Sequence, residues 1–521
     1  MTDLERLPHA KNASYITRQV PNNEEPQGCM AGTREQILDE LEAWAIDDTA
    51  AKVCWLNGMA GTGKTSIVHT LSERLNEKQM LGASFFCSRS ASQEVRDASF
   101  IIPTIAAKLS QASPPLRSAM IQTIEKEPDV GSMRTLSKQF HLLLVEPIQR
   151  AFGPSVKTYK IVVIDALDEC INLGTVEKLV QAVVDYTPAM PLKFIVACRV
   201  TPKIQKAFHH NSEHPPKTLS LHDVERAIVQ GDIRTYLQSS LSEIVLGSEQ
   251  ALFWPPPDEL EILLERSDRL FIYAATAVRY IGAPEVDFRE RLKHITRLTP
   301  ARMQTGVIDS LYNEIMRQAF HSQFEPEELS RRHETLSAVV FVMVPLSLEA
   351  IACLMGMDRL QVEIALSPFR SVIQMPTVDT SPVTIFHASF PEFVVDPSRC
   401  EKHHLDVSEG HQMLAVKCLR WLNQTLKRNI CNLDMMLESN ADPEALWYSC
   451  LHWASHLAHT LAGALAPIVV TDLRPLVSEF VNNHLLHWFE CLSDLRELES
   501  GIKSLDTANE AISVSTQMDP D

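Results

Sequence analysis

The stretch Gly58-Met59-Ala60-Gly61-Thr62-Gly63-Lys64-Thr65 restricts what this chain can fold into more than any other. Its pattern, G-x-x-x-x-G-K-[ST], is that of a phosphate-binding loop. Glycines are required because the backbone must approach phosphates closely and adopt dihedrals that a Cβ forbids. The loop's N–H groups then point inward at the N-terminus of the following helix and form an anion nest. An apolar strand, Val53-Cys54-Trp55-Leu56, precedes the loop, and an amphipathic helix, Ser66 to Asn76, follows it. The expected nucleotide contacts are Gly58, Ala60, Gly61, Thr62, Gly63, Lys64, Thr65 and Ser66. Lys64 reaches the outer phosphates as a point charge, and the Thr65 hydroxyl is a magnesium ligand.

Three further apolar runs read as strands: Gly82 to Cys87, Tyr159 to Asp165 and Leu192 to Ala197. Helical periodicity lies between them at Phe100 to Gln111, Leu116 to Glu125, Leu136 to Phe152 and Val176 to Tyr186. Strands alternating with helices predict a parallel sheet with ligands at the strands' carboxyl ends. Gly58, Asp165 and Arg199 all fall there. An acid ending a buried strand beside a phosphate loop is placed to hold magnesium, which is the role read for Asp165. Asp168 and Glu169, a few residues on, are the candidate catalytic acids, able to orient or deprotonate an attacking water. The competing reading makes them an acidic cap on the next helix.

Upstream, a helix is expected over Thr33 to Ala45, with Ile37, Leu38, Leu41 and Trp44 on one face and a capping box between Thr33 and Gln36. Residues 1–27 read as a disordered lead-in and 28–222 as the α/β nucleotide-binding domain. From about Val224 helical periodicity dominates, giving a helical domain (223–325), a winged-helix-like domain (326–400) and a C-terminal helical domain (401–505). Residues 506–521 read as a polar tail. The formal charge of −18 argues against a general nucleic-acid binder. Eleven cysteines without a C-x-x-C pair read as buried thiols rather than a zinc site. The N-terminus lacks the apolar core of a signal peptide, and no apolar run reaches bilayer length, so a cytoplasmic protein is expected.

The order acid, small, apolar, acid, acid in Asp165-Ala166-Leu167-Asp168-Glu169 resembles the Walker B segment of NACHT NTPases of the STAND class. The resemblance is to the large fungal set related to NOD-like immune receptors, with a nephrocystin-3-like N-terminal NACHT domain. ATP-binding-cassette and most AAA+ ATPases have an acid where this chain has Ala166. Gly32-Thr33-Arg34 with Trp44, and Trp55-Leu56-Asn57-Gly58, are similar to the same family's lead-in and first strand. Arg199 stands where the family carries a sensor arginine for the terminal phosphate, although Cys198 and Val200 replace the usual flanking serine and proline. Pro345 to Ile351 resembles the start of a winged helix. Phe386-His387-Ala388-Ser389-Phe390-Pro391-Glu392-Phe393 resembles the F-x-H-x-S-F-x-E-F segment, whose histidine in that family meets the β-phosphate of ADP. Read from chemistry alone, His387 is a polar residue at a strand end.

The resemblance implies an α/β P-loop NTPase followed by helical and winged-helix domains. It also implies ATP, ADP and Mg2+ as ligands and a conformational switch with slow hydrolysis in fungal-type immune or cell-death signalling. Assembly with copies of itself or with related NACHT proteins is expected on activation. About fifty residues precede the loop and no C-terminal repeats are evident, so a truncated product, a regulator of longer relatives and a bare switch all remain open. The rival readings are a nucleotide-binding scaffold without turnover and a P-loop small-molecule kinase. The kinase leaves the helical residues after Val224 without a place.

Overall fold

The computed structural model describes residues 7–16, 28–89, 92–132, 135–153, 160–211, 213–245, 254–284, 287–297, 308–376, 381–400, 402–428, 442–461 and 466–517. They form two compact units, Met1–Arg297 and Leu298–Asp521.

The first unit is built on a five-stranded sheet: β1 (Val53–Asn57), β2 (Leu81–Phe86), β3 (Lys160–Asp165), β4 (Leu192–Cys198) and β5 (Lys217–Ser220), in the order β2-β3-β4-β1-β5. Every pairing is parallel. Side chains alternate between the two faces, and both faces are buried. Val53, Trp55, Val162, Ile164, Phe194 and Val196 share one core. Cys54, Leu56, Ile161, Val163, Ile195 and Ala197 share the other. This explains why the strands read as unbroken apolar runs: neither face has to be polar. β5 was not legible because Lys217, Thr218, Leu219 and Ser220 form a partly exposed edge without that pattern.

The helices around the sheet are α1 (Glu35–Ile46) and α2 (Lys64–Glu77), then α3 (Ile101–Ala112), α4 (Pro114–Lys126) and α5 (Leu136–Phe140, a π turn His141–Val145, and Glu146–Phe152). α6 (Leu173–Tyr186) connects β3 to β4 and α7 (Pro202–Phe208) connects β4 to β5. α8 (Arg226–Ile244), α9 (Pro257–Ser267), α10 (Phe271–Gly282) and α11 (Phe288–Arg297) complete the unit.

α1 buries Ile37, Leu38, Leu41, Trp44 and Ala45 as its spacing predicts, but the capping box does not form. Arg34 occupies the cap in a left-handed conformation, and the Thr33 hydroxyl donates backwards to Met30 O at 2.7 Å. At its other end α1 is capped by a lysine from the sheet. Lys193 Nζ, fully buried on β4, donates to Trp44 O at 2.7 Å and to Asp47 O at 2.6 Å, with Ala45 O at 3.4 Å. A cation at a helix C-terminus is favoured by the helix dipole, and here it also satisfies carbonyls with no intrahelical partner.

Part of the expected lead-in is packed rather than loose. Leu7, Ala10, Ala13 and Tyr15 are buried. Ala13 O accepts from Phe86 N at 2.7 Å, and Ser84 Oγ accepts from Tyr15 N at 3.1 Å, so residues 13–15 lie along the outer edge of β2. Residues 1–6 and 17–27 of that expectation lie outside the described residues, as does Tyr159 at the start of the β3 run.

The second unit opens with α12 (Asp309–Ala319), α13 (Pro326–Phe341), α14 (Leu348–Met355) and α15 (Arg359–Leu366). An antiparallel ribbon of β6 (Ile373–Gln374) and β7 (Thr384–Ile385) follows, and then α16 (Ser389–Val394). Asp309, fully buried at the start of α12, receives Arg399 through Nη2 at 2.7 Å and Nε at 3.1 Å. The remainder is α17 (Val407–Thr425), α18 (Pro443–Leu461), α19 (Ala466–Glu479), α20 (Leu485–Asp494) and α21 (Leu498–Gln517). The expected tail from 506 is helical as far as Gln517, and 518–521 lie outside the described residues.

Inside this unit His411 Nδ1 lies 2.8 Å from His456 Nδ1, and Tyr448 Oη lies 2.7 Å from His456 Nε2. Burial lowers His411 from 6.5 to about 4 and pulls His456 down in the same direction.

Two predictions follow from these buried cations and rings. Lys193→Met keeps the side-chain volume but strands the α1 carbonyls, a loss of about 1–3 kcal/mol that a thermal melt reads as a lower Tm. For the histidines, folded values below the unfolded one mean that the unfolded chain binds more protons between about pH 4 and 6.5. Their contribution is therefore fully present above about 6.5 and is lost as pH falls toward 4. Tm measured across that window should fall, and His411→Asn should flatten the slope.

Candidate functional site

The loop Gly58–Gly63 leaves β1 at its carboxyl end and enters α2 at Lys64. Gly61 (φ 76°) and Gly63 (φ 88°) take left-handed backbone conformations. A Cβ on Gly58 would stand 2.9 Å from Thr62 Oγ1 and 3.1 Å from Leu221 Cβ. One on Gly61 would fall inside the Ile272 side chain at the start of α10. Ile272 N also donates to Gly61 O at 3.1 Å, so α10 is seated directly on the loop. The Thr62 hydroxyl donates to Met59 O at 2.9 Å. Ala60, Thr65 and Ser66 are half-buried along the loop and the first turn of α2.

Lys64 folds back over the loop, its Nζ donating to Gly58 O at 2.8 Å and Met59 O at 2.9 Å. Burial lowers its pKa, while Asp168 and Asp165 push it back up. The ammonium is thus held among carbonyls and within the field of both acids, where an anionic ligand would compensate it fully.

Asp165 ends β3 fully buried, in register with Ala197 of β4. Ala166 then takes a left-handed conformation (φ 55°, ψ 40°), uncommon for a residue with a Cβ, and turns the chain into the 3-10 segment Leu167–Glu169. That reversal carries Asp168 toward β4. Its carboxylate accepts from Arg199 N at 3.0 Å and lies 3.1 Å from Arg199 Nε. The acid is nearly buried (7 % side-chain exposure) and the arginine partly so (23 %). Glu169 Oε2 accepts from Arg89 N at 3.2 Å. Behind these acids Cys87 N donates to Asp165 O at 3.1 Å, and Cys87 Sγ lies 3.4 Å from Cys170 Sγ. Burial pushes the Cys87 thiol well above its ordinary value. Cys198, beside Arg199, is buried and accepts from Trp55 Nε1 at 3.2 Å, which gives this departure from the family pattern a packing role.

The first unit therefore gathers the loop, Asp165, Asp168, Glu169 and Arg199 at the carboxyl ends of β1, β3 and β4. His387 belongs to the second unit. There Ser389 N donates to its Nδ1 at 3.1 Å, so the neutral ring carries its hydrogen on Nε2. Ser389 Oγ lies 2.7 Å from the same nitrogen and 2.8 Å from Tyr312 Oη. Phe390 and Phe393 are buried against Tyr312, with centroids 5.3 and 5.2 Å away.

Two residues of the site were not singled out from sequence. Arg89 follows β2 and has no motif around it. Arg34 is 4 % exposed, and its Nη2 donates to Thr62 O at 2.8 Å. The resemblance of the Gly32-Thr33-Arg34 lead-in was its only sequence signal.

A parallel sheet, a glycine loop seated on a helix N-terminus, and a buried strand-end acid on β3, with β4 between it and β1, define a P-loop NTPase domain. Residues 32–199 match the family described as Nephrocystin 3, N-terminal. The vegetative incompatibility protein HET-E-1 of Podospora anserina is 22% identical over 500 residues, covering 89% of this chain and 35% of the relative. The chain thus spans about a third of the length of that curated relative. Residues 32–199, with their Walker segments, are thus similar to the nucleotide-binding domain of NACHT-type NTPases of the STAND class.

Among solved structures, a STAND protein with a tetratricopeptide repeat sensor from Pyrococcus horikoshii is 12% identical, with a TM-score of 0.40. That alignment covers 97% of this chain and 66% of that one. A Drosophila ORC structure bound to GC-rich DNA and Cdc6 is 12% identical at a TM-score of 0.23, covering 93% and 68%. Scores that low support no statement about function.

The seating of α10 on the loop gives a paired test. Gly63→Ala meets no atom within 4 Å and should cost only the backbone term, about 1–2 kcal/mol. Gly61→Ala carries the same term and must also displace Ile272. Its Tm should fall further, and the Ile272 amide should lose protection from hydrogen exchange.

Proposed function

We propose that the chain is an ATP- and ADP-dependent conformational switch in which hydrolysis is slow and serves to reset the state. The observation that carries this reading is the convergence of Lys64, Asp165, Asp168 and Arg199 on one strand-end site, with Asp168 engaging Arg199 by both backbone and side chain. The residues suit a magnesium nucleotide. The glycine loop has no room for a Cβ at Gly58 or Gly61, Lys64 brings a half-buried cation, and Asp165 brings a buried acid at the end of β3, beyond β4. Loop N–H groups, Lys64, Thr65 and Ser66 would hold the phosphates, and Thr65 with Asp165 would hold the metal. Magnesium supplies charge neutralisation of the phosphates when bound.

Asp168 aims the Arg199 guanidinium, which reads the terminal phosphate. Glu169 is our candidate for taking the proton of an attacking water, with Asp168, which holds the Arg199 side chain, as the alternative. His387 Nε2–H is a donor suited to a phosphate oxygen of ADP, which favours a closed state of residues 326–400, read as a winged helix. We divide the chain functionally into 28–222, 223–325, 326–400 and 401–505, and place it in the cytoplasm in fungal incompatibility-type signalling. Support for the signalling role is the HET-E-1 similarity. Assembly with like chains is the output we assign to the open state. A small-molecule kinase is disfavoured, since α10 sits on the phosphate loop and belongs to a helical block outside such an enzyme's compact domain.

One experiment tests the scheme: titration with fluorescent ADP and ATP analogues, together with phosphate release. Lys64→Ala should weaken both nucleotides at least about tenfold, removing a charge-assisted contact of about 1.5–3 kcal/mol. Glu169→Gln should bind ATP and release little phosphate, and His387→Ala should weaken ADP more than ATP. Unchanged affinity in Lys64→Ala would refute the site.

A further inference from the structure

Two consecutive carbonyls of the phosphate loop are held by groups outside it. Gly61 O accepts from Ile272 N at 3.1 Å, and Thr62 O accepts from Arg34 Nη2 at 2.8 Å. Because each peptide unit is planar, fixing a carbonyl fixes the N–H on the far side of the same bond. Gly61 O shares its peptide with Thr62 N–H, and Thr62 O shares its peptide with Gly63 N–H. The two outside contacts therefore set where two of the loop's donors point.

Both contacts lead to the helical block 226–297. Ile272 belongs to α10. Arg34 stands between that block and the loop: its guanidinium carbon is 4.6 Å from the ring centre of Phe271 at the start of α10, and its Nε is 4.0 Å from Asp232 Oδ2 on α8. The pair is not fully made. Arg34 Nε and Nη1 and Asp232 Oδ2 are all buried and lack a hydrogen-bond partner. Burial works against both charges, lowering Arg34 and raising Asp232. A buried ion pair held just beyond hydrogen-bond distance has lost hydration without the full return of contact. A small movement of α8 or of the loop would close it.

From this geometry we infer that Arg34 is a positioning residue that couples the orientation of the Thr62–Gly63 peptide to α8 and α10 through Asp232 and Phe271. The inference rests on the loop being a nucleotide site, as proposed above. Since coupling is reciprocal, phosphate binding at the loop shifts the Arg34–Asp232 pair, and the state of the helices tunes how well the loop donors are aimed. Arg34 itself need touch no ligand. Lysine cannot replace it, because one ammonium cannot lie flat on Phe271 while donating to Thr62 O and facing Asp232.

The test is a double-mutant cycle in the full chain, read by the dissociation rate of a fluorescent ADP analogue and by hydrogen exchange over residues 268–275 with and without ADP. In the native protein, ADP should change exchange at Ile272. Asp232→Asn and Arg34→Lys should each raise the dissociation rate about fivefold or more and blunt that exchange response, at a Tm close to native. In the Arg34→Ala background, Asp232→Asn should have no further effect. Should Arg34→Ala fail to fold, Arg34→Lys serves as the background instead. Independent, multiplicative effects, or a native exchange response in Asp232→Asn, would overturn the coupling. If Lys64→Ala abolished binding while Asp232→Asn left it unchanged, the nucleotide site would stand and the coupling alone would fall. Failure of the native protein to bind ADP or ATP would overturn both.

Discussion

The first unit depends on one constraint: β1 is hydrogen-bonded on both edges and buried on both faces. Between β4 and β5 it has no freedom to shift, so the loop at its end leaves from a fixed point. β4 is buried throughout and β3 from Ile161 onward, and their pairing registers Asp165 beside Ala197. Charged groups are costly inside such strands, and Lys193 is tolerated in β4 only because it caps α1, so Asp165, Asp168 and Arg199 appear where the strands run out. The clustering of charge at one end of the sheet follows from the apolarity of everything behind it.

Holding the loop takes more than the sheet. Gly61 must lack a side chain because Ile272 occupies that space, and Thr62 O must be met by Arg34. Asp168 likewise acts through a neighbour, fixing Arg199 rather than standing open to solvent. Several polar residues of the site are thus occupied in orienting one another, with Lys64 resting on the loop's own carbonyls.

What was legible in the sequence was whatever a repeating pattern enforces. β1 to β4 were readable because both faces are buried, and the loop because only glycines fit it. β5 was not, since an edge strand of Lys217, Thr218, Leu219 and Ser220 carries no apolar alternation. The Thr33–Gln36 capping box was a local pattern overruled by Arg34, whose guanidinium reaches a partner 28 residues away. The π turn in α5 left no mark on its periodicity. Phe390 and Phe393 in the His387 segment pack against Tyr312, so part of that motif is explained by packing alone. Long-range pairs such as Lys193 with the end of α1 have no sequence signature, because a lone lysine in an apolar strand looks like a blemish.

The segment lying along β2 also bears on how such molecules can meet. An outermost strand offers a row of unpaired amides and carbonyls to any other extended chain. Here Ala13 O takes the Phe86 amide and Tyr15 N takes the Ser84 hydroxyl, so that margin is already spoken for by the chain's own beginning. At the Ser84–Phe86 end of β2, extension of the sheet by another chain would first have to displace residues 13–15.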